Sequence, residues 1–237
     1  MPEVFKNFIN GEWVTSKTGA TFNDINPADK SEIVGVFPKS GTEDINTAVD
    51  AAASAFDKWR KTPAPARAEI IYKAEKLLRK KKDDIARIAT AEMGKILDET
   101  KGDVQEGIDT AFYMAGEGRR LFGDTTPSEL KNKFCMSIRM PVGVVGLICP
   151  WNFPVAIPSW KIFPALICGN SVILKPASDA PASSMELVQI LQEAGMPKGV
   201  VNLVHGSGEE AGMALLNHPK VNLISFTGSA EVGKRIG

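Results

Sequence analysis

Four short runs of β-branched and other apolar residues in the second half of the chain constrain the fold more than any other feature. The runs are Val142–Cys149, Ser171–Leu174, Val200–Val204 and Val221–Phe226. Stretches long enough for a helix separate the first three runs, which predicts right-handed units of strand, helix and parallel strand. We therefore expect an α/β fold in which helices cover both faces of a parallel sheet.

Upstream of these runs the pattern is helical, after a short β-rich start. Asn10-Gly11 lies between two apolar pairs and predicts a β-hairpin with a two-residue turn. Ser40 or Thr42 is the expected cap of a first helix, and two more amphipathic helical stretches follow. Apolar and polar residues alternate over Lys133–Met140, which predicts a strand with one apolar face.

The charge balance and the cysteines exclude several classes of function. The chain has 28 basic and 28 acidic residues, so no net field attracts nucleic acid or a membrane surface. Three widely spaced cysteines and two histidines give no metal-ligand cluster and favour a reducing, cytoplasmic setting. No apolar run is long enough to span a membrane, and Met1–Asn10 lacks the pattern of a signal peptide. We therefore expect neither metal, nor nucleic acid, nor membrane as a partner.

Ligands of an open parallel sheet bind at the carboxyl ends of its strands, so the residues after each predicted strand are the candidate site. Two of these ends are glycine-bearing turns that lead into helices, Gly206–Gly212 and Gly228–Gly233. A phosphate can approach backbone N–H groups there because no side chain intervenes. Helix caps explain the same glycines equally well, and neither turn has the dinucleotide fingerprint Gly-x-Gly-x-x-Gly.

Lys175 and Asn152 are the polar residues of interest at the strand ends. A carboxylate is the usual partner of the adenosine ribose at such a position, whereas here Lys175 is followed by Ser178. A cation without an acid tolerates the 2′-phosphate of NADP; the alternative is a solvated lysine. Asn152 lies between Pro150 and Pro154 and either stabilises an oxyanion through its amide or satisfies its own turn.

The position of the three cysteines argues against a catalytic thiol. Cys149 and Cys168 lie in apolar runs, where we expect burial to raise the thiol pKa, and Cys135 has no histidine near it in sequence. We therefore expect none of the three to act as a nucleophile.

The order and spacing of the strand-end motifs resemble those of one family. The motifs are Pro150-Trp151-Asn152-Phe153-Pro154, Lys175-Pro176-Ala177-Ser178, Gly206-Ser207-Gly208 and Phe226-Thr227-Gly228-Ser229, preceded by Phe8-Ile9-Asn10-Gly11-Glu12-Trp13 and Asn26-Pro27. Together they are similar to the amino-terminal half of the NAD(P)-dependent aldehyde dehydrogenases, over essentially the entire chain. The resemblance implies a Rossmann-like dinucleotide-binding domain over residues 1–123 and 141–237. It also implies that residues 124–140 begin an oligomerisation arm.

The resemblance further implies a role for each motif. Asn152 is expected to donate to the aldehyde oxygen in the oxyanion hole, and Phe153, Ile157 and Trp160 are expected to line the aldehyde channel. Lys175 is expected to contact the adenosine ribose, and Ser229 the pyrophosphate. The expected contacts of NAD or NADP are Ile148, Pro150, Trp151, Lys175, Ser178, Gly208, Gly212, Phe226, Thr227, Gly228, Ser229 and Val232.

The chemistry of the family needs two further residues. In relatives a cysteine thiolate attacks the aldehyde and a glutamate activates water, and both lie downstream of the Phe-Thr-Gly-Ser motif. Gly237 is eight residues beyond Ser229. We therefore expect this stretch to lack the nucleophile, the base and the catalytic domain, and to be inactive and incompletely folded alone.

The expected reaction of the parent enzyme is oxidation of an aldehyde to a carboxylic acid by a dimer or tetramer. The stretch Ala115–Gly123, which contains Arg119 and Arg120, looks like members that oxidise dicarboxylic semialdehydes. Two alternatives stay open at this point. One is a non-catalytic nucleotide-binding or subunit-interaction module, and the other is a relative that forms an acyl-CoA with a downstream cysteine.

Overall fold

The chain begins with a short β-rich segment and continues with a block of four helices. In its second half, strands and helices alternate. The computed structural model describes residues 2–237. The strands are β1 Asn7–Ile9, β2 Glu12–Val14, β3 Thr21–Ile25, β4 Ile33–Pro38, β5 Thr125–Thr126, β6 Cys135–Met136, β7 Val144–Ile148, β8 Ser171–Lys175, β9 Val201–Leu203 and β10 Leu223–Phe226. The helices are α1 Thr42–Trp59, α2 Ala64–Lys80, α3 Lys82–Met93, α4 Leu97–Glu117, α5 Ala156–Ile167, α6 Ala182–Glu193, α7 Met213–Leu216 and α8 Ala230–Ile236. A single π-helical turn, Gly208–Gly212, leads into α7.

The main sheet has six strands in the order β10-β7-β8-β9-β1-β2. The first four are parallel, which confirms the sheet predicted from the apolar runs. Asn10 and Gly11 form the turn between β1 and β2 with positive φ angles of 52° and 80°, as a two-residue hairpin requires. The sequence did not predict that this hairpin extends the main sheet, where Phe8 pairs antiparallel with Leu203.

Both faces of the parallel sheet are buried. Val145 and Leu147 of β7 belong to a large core shared with helices α2 to α6. Val144 and Ile173 point to the opposite face, where they pack with residues of α1 and α7. Because successive strand residues alternate between faces, the continuous apolar runs of the sequence are explained by helices on either side. No helix within residues 2–237 is both long enough and apolar enough to cross a membrane.

The start of α1 differs from the prediction. Neither Ser40 nor Thr42 caps it, because the helix begins after Gly41 and Asp44 satisfies the free backbone groups. The Asp44 carboxylate accepts from the Gly41 N–H at 3.2 Å and from the Lys17 N–H at 2.9 Å. The Ser40 hydroxyl instead accepts from the Asn7 side chain at 2.7 Å. The cap is therefore supplied from inside the first turn.

The strand predicted over Lys133–Met140 is also shorter than expected. Only Cys135–Met136 pairs, and its partner is the equally short Thr125–Thr126. The alternating apolar side chains are all more than 60% exposed, namely Phe134, Met136, Ile138 and Met140. A two-residue partner strand cannot extend the ladder, so alternation alone does not produce a longer strand here.

Candidate cofactor cleft

A cleft of about 480 Å³ opens at the carboxyl ends of the parallel strands. The strand register brings Phe226, Ile148 and Lys175 side by side at this edge, because parallel strands of one sheet end on the same side. All twelve residues expected to contact NAD or NADP line the cleft: Ile148, Pro150, Trp151, Lys175, Ser178, Gly208, Gly212, Phe226, Thr227, Gly228, Ser229 and Val232. Their part in binding a cofactor stays a prediction.

Lys175 is buried in the wall of the cleft, with 3% of its surface exposed. Its Nζ donates to the carbonyl oxygen of Pro176 at 2.6 Å and to that of Gly206 at 3.1 Å. Burial lowers the pKa of Lys175 to about 8, because the ammonium loses contact with water. The alternative interpretation, a solvated lysine at a strand end, is therefore wrong.

The charge of the cleft is more mixed than the strand-end residues indicated. The Ser178 hydroxyl donates to the Gly206 carbonyl oxygen at 3.1 Å. Asp179, Glu209 and Arg235 line the cleft as well. The strand-end position itself holds Lys175 and Ser178 as predicted, but the cleft as a whole also contains two acids. The sequence did not single out these two acids, because Asp179 lies one residue beyond the motif that ends in Ser178 and Glu209 lies within the π-helical turn.

A serine caps the helical turn that follows each glycine-bearing turn. The hydroxyl oxygens of Ser207 and Ser229 accept from backbone N–H groups three residues later, at 3.1 and 3.3 Å. A Cβ at Gly228 would lie 2.5 Å from the Phe226 ring, so packing alone requires glycine there. A Cβ at Gly208 would meet no atom within 4 Å. Gly208 is therefore the cleft glycine that leaves its backbone open to a ligand.

The loop that carries Asn152 lies beside the cleft. Asn152 is exposed, and so are Phe153 and Trp160, at 38% and 46% of their surface. Ile157 is buried in the main core and is 5% exposed. Phe153 and Trp160 thus present aromatic surface near the loop, whereas Ile157 supports it from the core. The oxyanion and channel roles of these four residues stay predictions.

The block of helices α1 to α4 anchors this loop. Asp103 of α4 accepts from the Val155 N–H at 3.1 Å and from the Ala156 N–H at 2.9 Å. Lys95, between α3 and α4, donates to the Asn152 carbonyl oxygen at 2.8 Å. The sequence pattern could have singled out Asp103, because this acid lies on the otherwise apolar, buried face of its helix.

Glu92, at the end of α3, anchors the start of α6 in the same way. Its carboxyl group accepts from the Ala182 N–H at 2.7 Å, from the Ser183 N–H at 3.0 Å and from the Ser183 hydroxyl. Carboxyl groups of the helical block therefore satisfy the free N–H groups at the starts of both crossover helices, α5 and α6.

Comparison with known protein families decides the identity of the fold. Residues 13–237 match the model of the aldehyde dehydrogenase family. This chain belongs to the aldehyde dehydrogenase family. It is 46% identical to the alpha-ketoglutaric semialdehyde dehydrogenase of Bacillus subtilis strain 168, over 98% of this chain and 48% of that protein. It is 44% identical to the alpha-ketoglutarate semialdehyde dehydrogenase of Haloferax volcanii, over 100% of this chain and 49% of that protein.

Solved aldehyde dehydrogenase structures share the fold. An NAD-dependent aldehyde dehydrogenase from Sinorhizobium meliloti superposes with a TM-score of 0.97 at 33% identity, over 100% of this chain and 48% of its own. An NADP-dependent enzyme of E. coli gives a TM-score of 0.96 at 38% identity, over 99% of this chain and 48% of its own. The chain thus spans about half the length of the relatives that it matches.

The three cysteines of this aldehyde dehydrogenase chain have different environments. Cys149 is buried and lines the cleft, and burial raises the pKa of its thiol to about 12. Cys168, which follows the last residue of α5, is exposed rather than fully buried, but the burial that it has still raises the pKa of its thiol, as expected. Cys135 is half-buried in β6. Within residues 2–237, no three His, Cys, Asp or Glu side chains are grouped so that they could hold a metal ion.

A second, smaller cavity of about 400 Å³ adjoins the cleft and shares Trp151, Ser178 and Asp179 with it. Two buried acids, Asp24 of β3 and Glu92, line this cavity. Burial raises the pKa of Asp24 to about 7, and burial together with the charge of Asp24 raises the pKa of Glu92 well above its usual value. Two carboxyl groups in contact cannot both ionise without cost, so the pair favours retention of a proton.

Proposed function

We propose that this chain forms the dinucleotide-binding part of an aldehyde dehydrogenase, which oxidises an aldehyde to the carboxylic acid with NAD or NADP. The observation that supports this proposal most is the shared cleft. Residues from distant stretches of the chain, expected separately to contact a nicotinamide dinucleotide, line one cavity at the carboxyl edge of the sheet. Solved relatives include an enzyme described as NAD-dependent and another described as NADP-dependent.

The chemistry of the cleft fits a dinucleotide. Lys175 supplies a buried donor for ribose hydroxyl groups, and the open backbone at Gly208 admits a bulky group. Ile148 and Val232 add apolar surface for an aromatic base. The bound cofactor would supply the hydride acceptor, while these residues of the chain would hold and orient it.

Asn152 is the residue that we propose to act on the aldehyde itself. An amide N–H₂ group aimed at the carbonyl oxygen stabilises the negative charge that develops there when a nucleophile attacks. The high pKa of the Cys149 thiol leaves little thiolate at neutral pH. We therefore propose that Cys149 is not the attacking nucleophile.

We propose a semialdehyde as the substrate class. Several relatives carry this chemistry in their names, among them the malonate-semialdehyde dehydrogenase 2 of Geobacillus kaustophilus at 40% identity. Arg119 and Arg120 follow α4 and are exposed. Arg120 pairs with Glu117 at 3.1 Å, which leaves Arg119 available to a carboxylate. We also propose a cytoplasmic protein, since the three cysteines are free thiols. The exposed apolar side chains around β6 support assembly to a dimer or tetramer.

The test is an assay of the whole protein with acidic and neutral aldehydes, in which the formation of NADH or NADPH is measured. We expect Asn152→Ala to lower kcat roughly 100- to 1,000-fold, as loss of one oxyanion donor does, with the Kd of the cofactor unchanged. Asn46→Ala, at an exposed site of α1, is the control. An Asn152→Ala enzyme with full activity would refute the oxyanion role. If a product forms only when coenzyme A is present, the reaction yields an acyl-CoA instead of the carboxylic acid.

A further inference from the structure

Lys95 makes two contacts with the loop that carries Asn152. Its Nζ donates to the Asn152 carbonyl oxygen at 2.8 Å and lies 3.8 Å from the centroid of the Phe153 ring. A lysine ammonium over an aromatic face is attracted by the negative charge of that face. The two contacts together hold the peptide unit that joins Asn152 to Phe153.

Burial does not hold this part of the loop, because Trp151, Asn152 and Phe153 are all exposed. The other anchors act further along the chain. The Ser184 hydroxyl donates to the Pro154 carbonyl oxygen at 2.8 Å, and the Asp103 carboxylate binds the N–H groups that follow. Lys95 therefore acts at the residue that matters most for the proposed chemistry.

The position of Lys95 is itself well fixed. The preceding Gly94 ends α3 with a left-handed φ of 76°, and a Cβ there would lie 2.9 Å from Pro27. Lys95 is not among the residues that line the cofactor cleft. Its removal should therefore disturb the backbone of Asn152 and Phe153 more than the cleft, to which the loop contributes only Pro150 and Trp151.

We propose that Lys95 is a positioning residue for the oxidation of the aldehyde: it fixes the backbone of Asn152 so that the side-chain amide meets the aldehyde oxygen. This inference rests on the oxyanion role proposed for Asn152. A rigid donor matters because a displacement of about 1 Å at a reacting centre can lower a rate by as much as about 100-fold. Lys95 itself does not touch the aldehyde.

The first measurement compares variants of the whole enzyme. Lys95→Met keeps the alkyl chain but loses the charge and the hydrogen bond, and we expect a kcat about tenfold lower with an unchanged KM for the cofactor. Lys95→Arg, which can make both contacts, should recover most of the loss. Lys101→Met removes another lysine of the helical block, one that pairs with Asp83 instead, and should match the wild type. A Lys95→Met enzyme with wild-type kcat, or one whose cofactor KM alone changes, overturns the proposal.

The second measurement separates this inference from the proposed function. If Lys95 acts through Asn152, adding Lys95→Met to the Asn152→Ala enzyme should cause no further loss of kcat. Multiplicative losses in the double variant would show that Lys95 acts elsewhere, and would overturn its positioning role alone. Full activity of the single Asn152→Ala variant would instead refute the oxyanion role on which the inference depends.

Discussion

Ser178 lines the cleft at the position where we expect the charge of the ligand to matter most. Its hydroxyl donates to the Gly206 carbonyl oxygen, and the buried ammonium of Lys175 donates to the same oxygen. Asp179 and Glu209 add negative charge to the walls nearby. We therefore expect any selectivity between NAD and NADP to depend on a balance of opposite charges rather than on one cation.

We expect Ser178→Glu to weaken the binding of NADP much more than that of NAD, because a third carboxylate would repel the 2′-phosphate. The Kd of each cofactor, measured by titration calorimetry on the whole protein, checks this. Ser54→Glu adds the same charge at an exposed site of α1 and should change neither Kd. An equal loss for both cofactors would mean that Ser178 is not near the 2′ position.

The Asp24 carboxyl group gives the fold a dependence on pH. Its pKa in the folded chain is about 7, above the ordinary value of 3.8, mainly because of burial. The carboxyl groups that face it come from α3, as Glu92, and from the loop after β8, as Asp179. A raised folded pKa means that the folded state retains the proton, so this stabilisation is lost as the pH rises through 7.

We therefore expect the free energy of unfolding of the whole protein to fall as the pH rises from about 4 to 7, by at most about 1.4 kcal/mol per pH unit from this group, and to change little from this group above pH 7. Asp24→Asn should remove this part of the slope, while Asp57→Asn, at an exposed site of α1, should keep it. Urea denaturation at pH 5 and at pH 7 measures the difference. The prediction is wrong if Asp24→Asn and the wild type lose stability equally.

At the scale of single elements, the start of α1 depends on one side chain. Asp44→Ala removes the acceptor of two backbone N–H groups, and we expect a loss of about 1–2 kcal/mol of unfolding free energy. Glu43→Ala changes an exposed acid in the same turn. It should cost only a few tenths of a kcal/mol. Urea titration of the two variants checks the prediction, and equal effects would contradict it.

Periodicity predicted the helices and the parallel strands because burial of an apolar face repeats along a regular element. It did not predict which residue caps α1, since the capping carboxylate of Asp44 lies inside the helix. It overstated the strand at Lys133–Met140, since the length of a strand depends on its partner. The line-up of strand ends was predictable because it follows from parallel pairing alone.

The anchors of the site could not be predicted in this way. The hydrogen bonds of Lys95, Asp103 and Glu92 to the loops join residues 57, 53 and 91 positions apart. Their partners are backbone groups, which carry no signature in the sequence. A buried acid on an apolar helix face was the available signal, and its partner could be named only once the packing of the helices was known.

At the scale of the whole molecule, the segment around β6 exposes a row of apolar side chains. Phe134, Met136, Ile138 and Met140 are 62–73% exposed. A row of this kind favours contact with another protein surface, and self-association stays our proposal for it.

We expect Ile138→Asp to shift the whole protein toward smaller assemblies, because a carboxylate in an apolar contact is costly to desolvate. Sedimentation velocity measures the distribution. Ile96→Asp, at an equally exposed apolar site before α4, is the matched control and should leave it unchanged. A wild-type protein that sediments as a monomer would contradict the proposal.

The pairing of Phe8 with Leu203 has a consequence for biosynthesis. A ribosome that adds roughly 5–20 residues per second needs about 10–40 seconds to travel from one partner to the other. During that time the β1–β2 hairpin has already been made, while the strand it must join does not yet exist. The nascent chain therefore carries the unpaired edge of β1, with the apolar side chains of Phe8 and Ile9 uncovered, until β9 emerges.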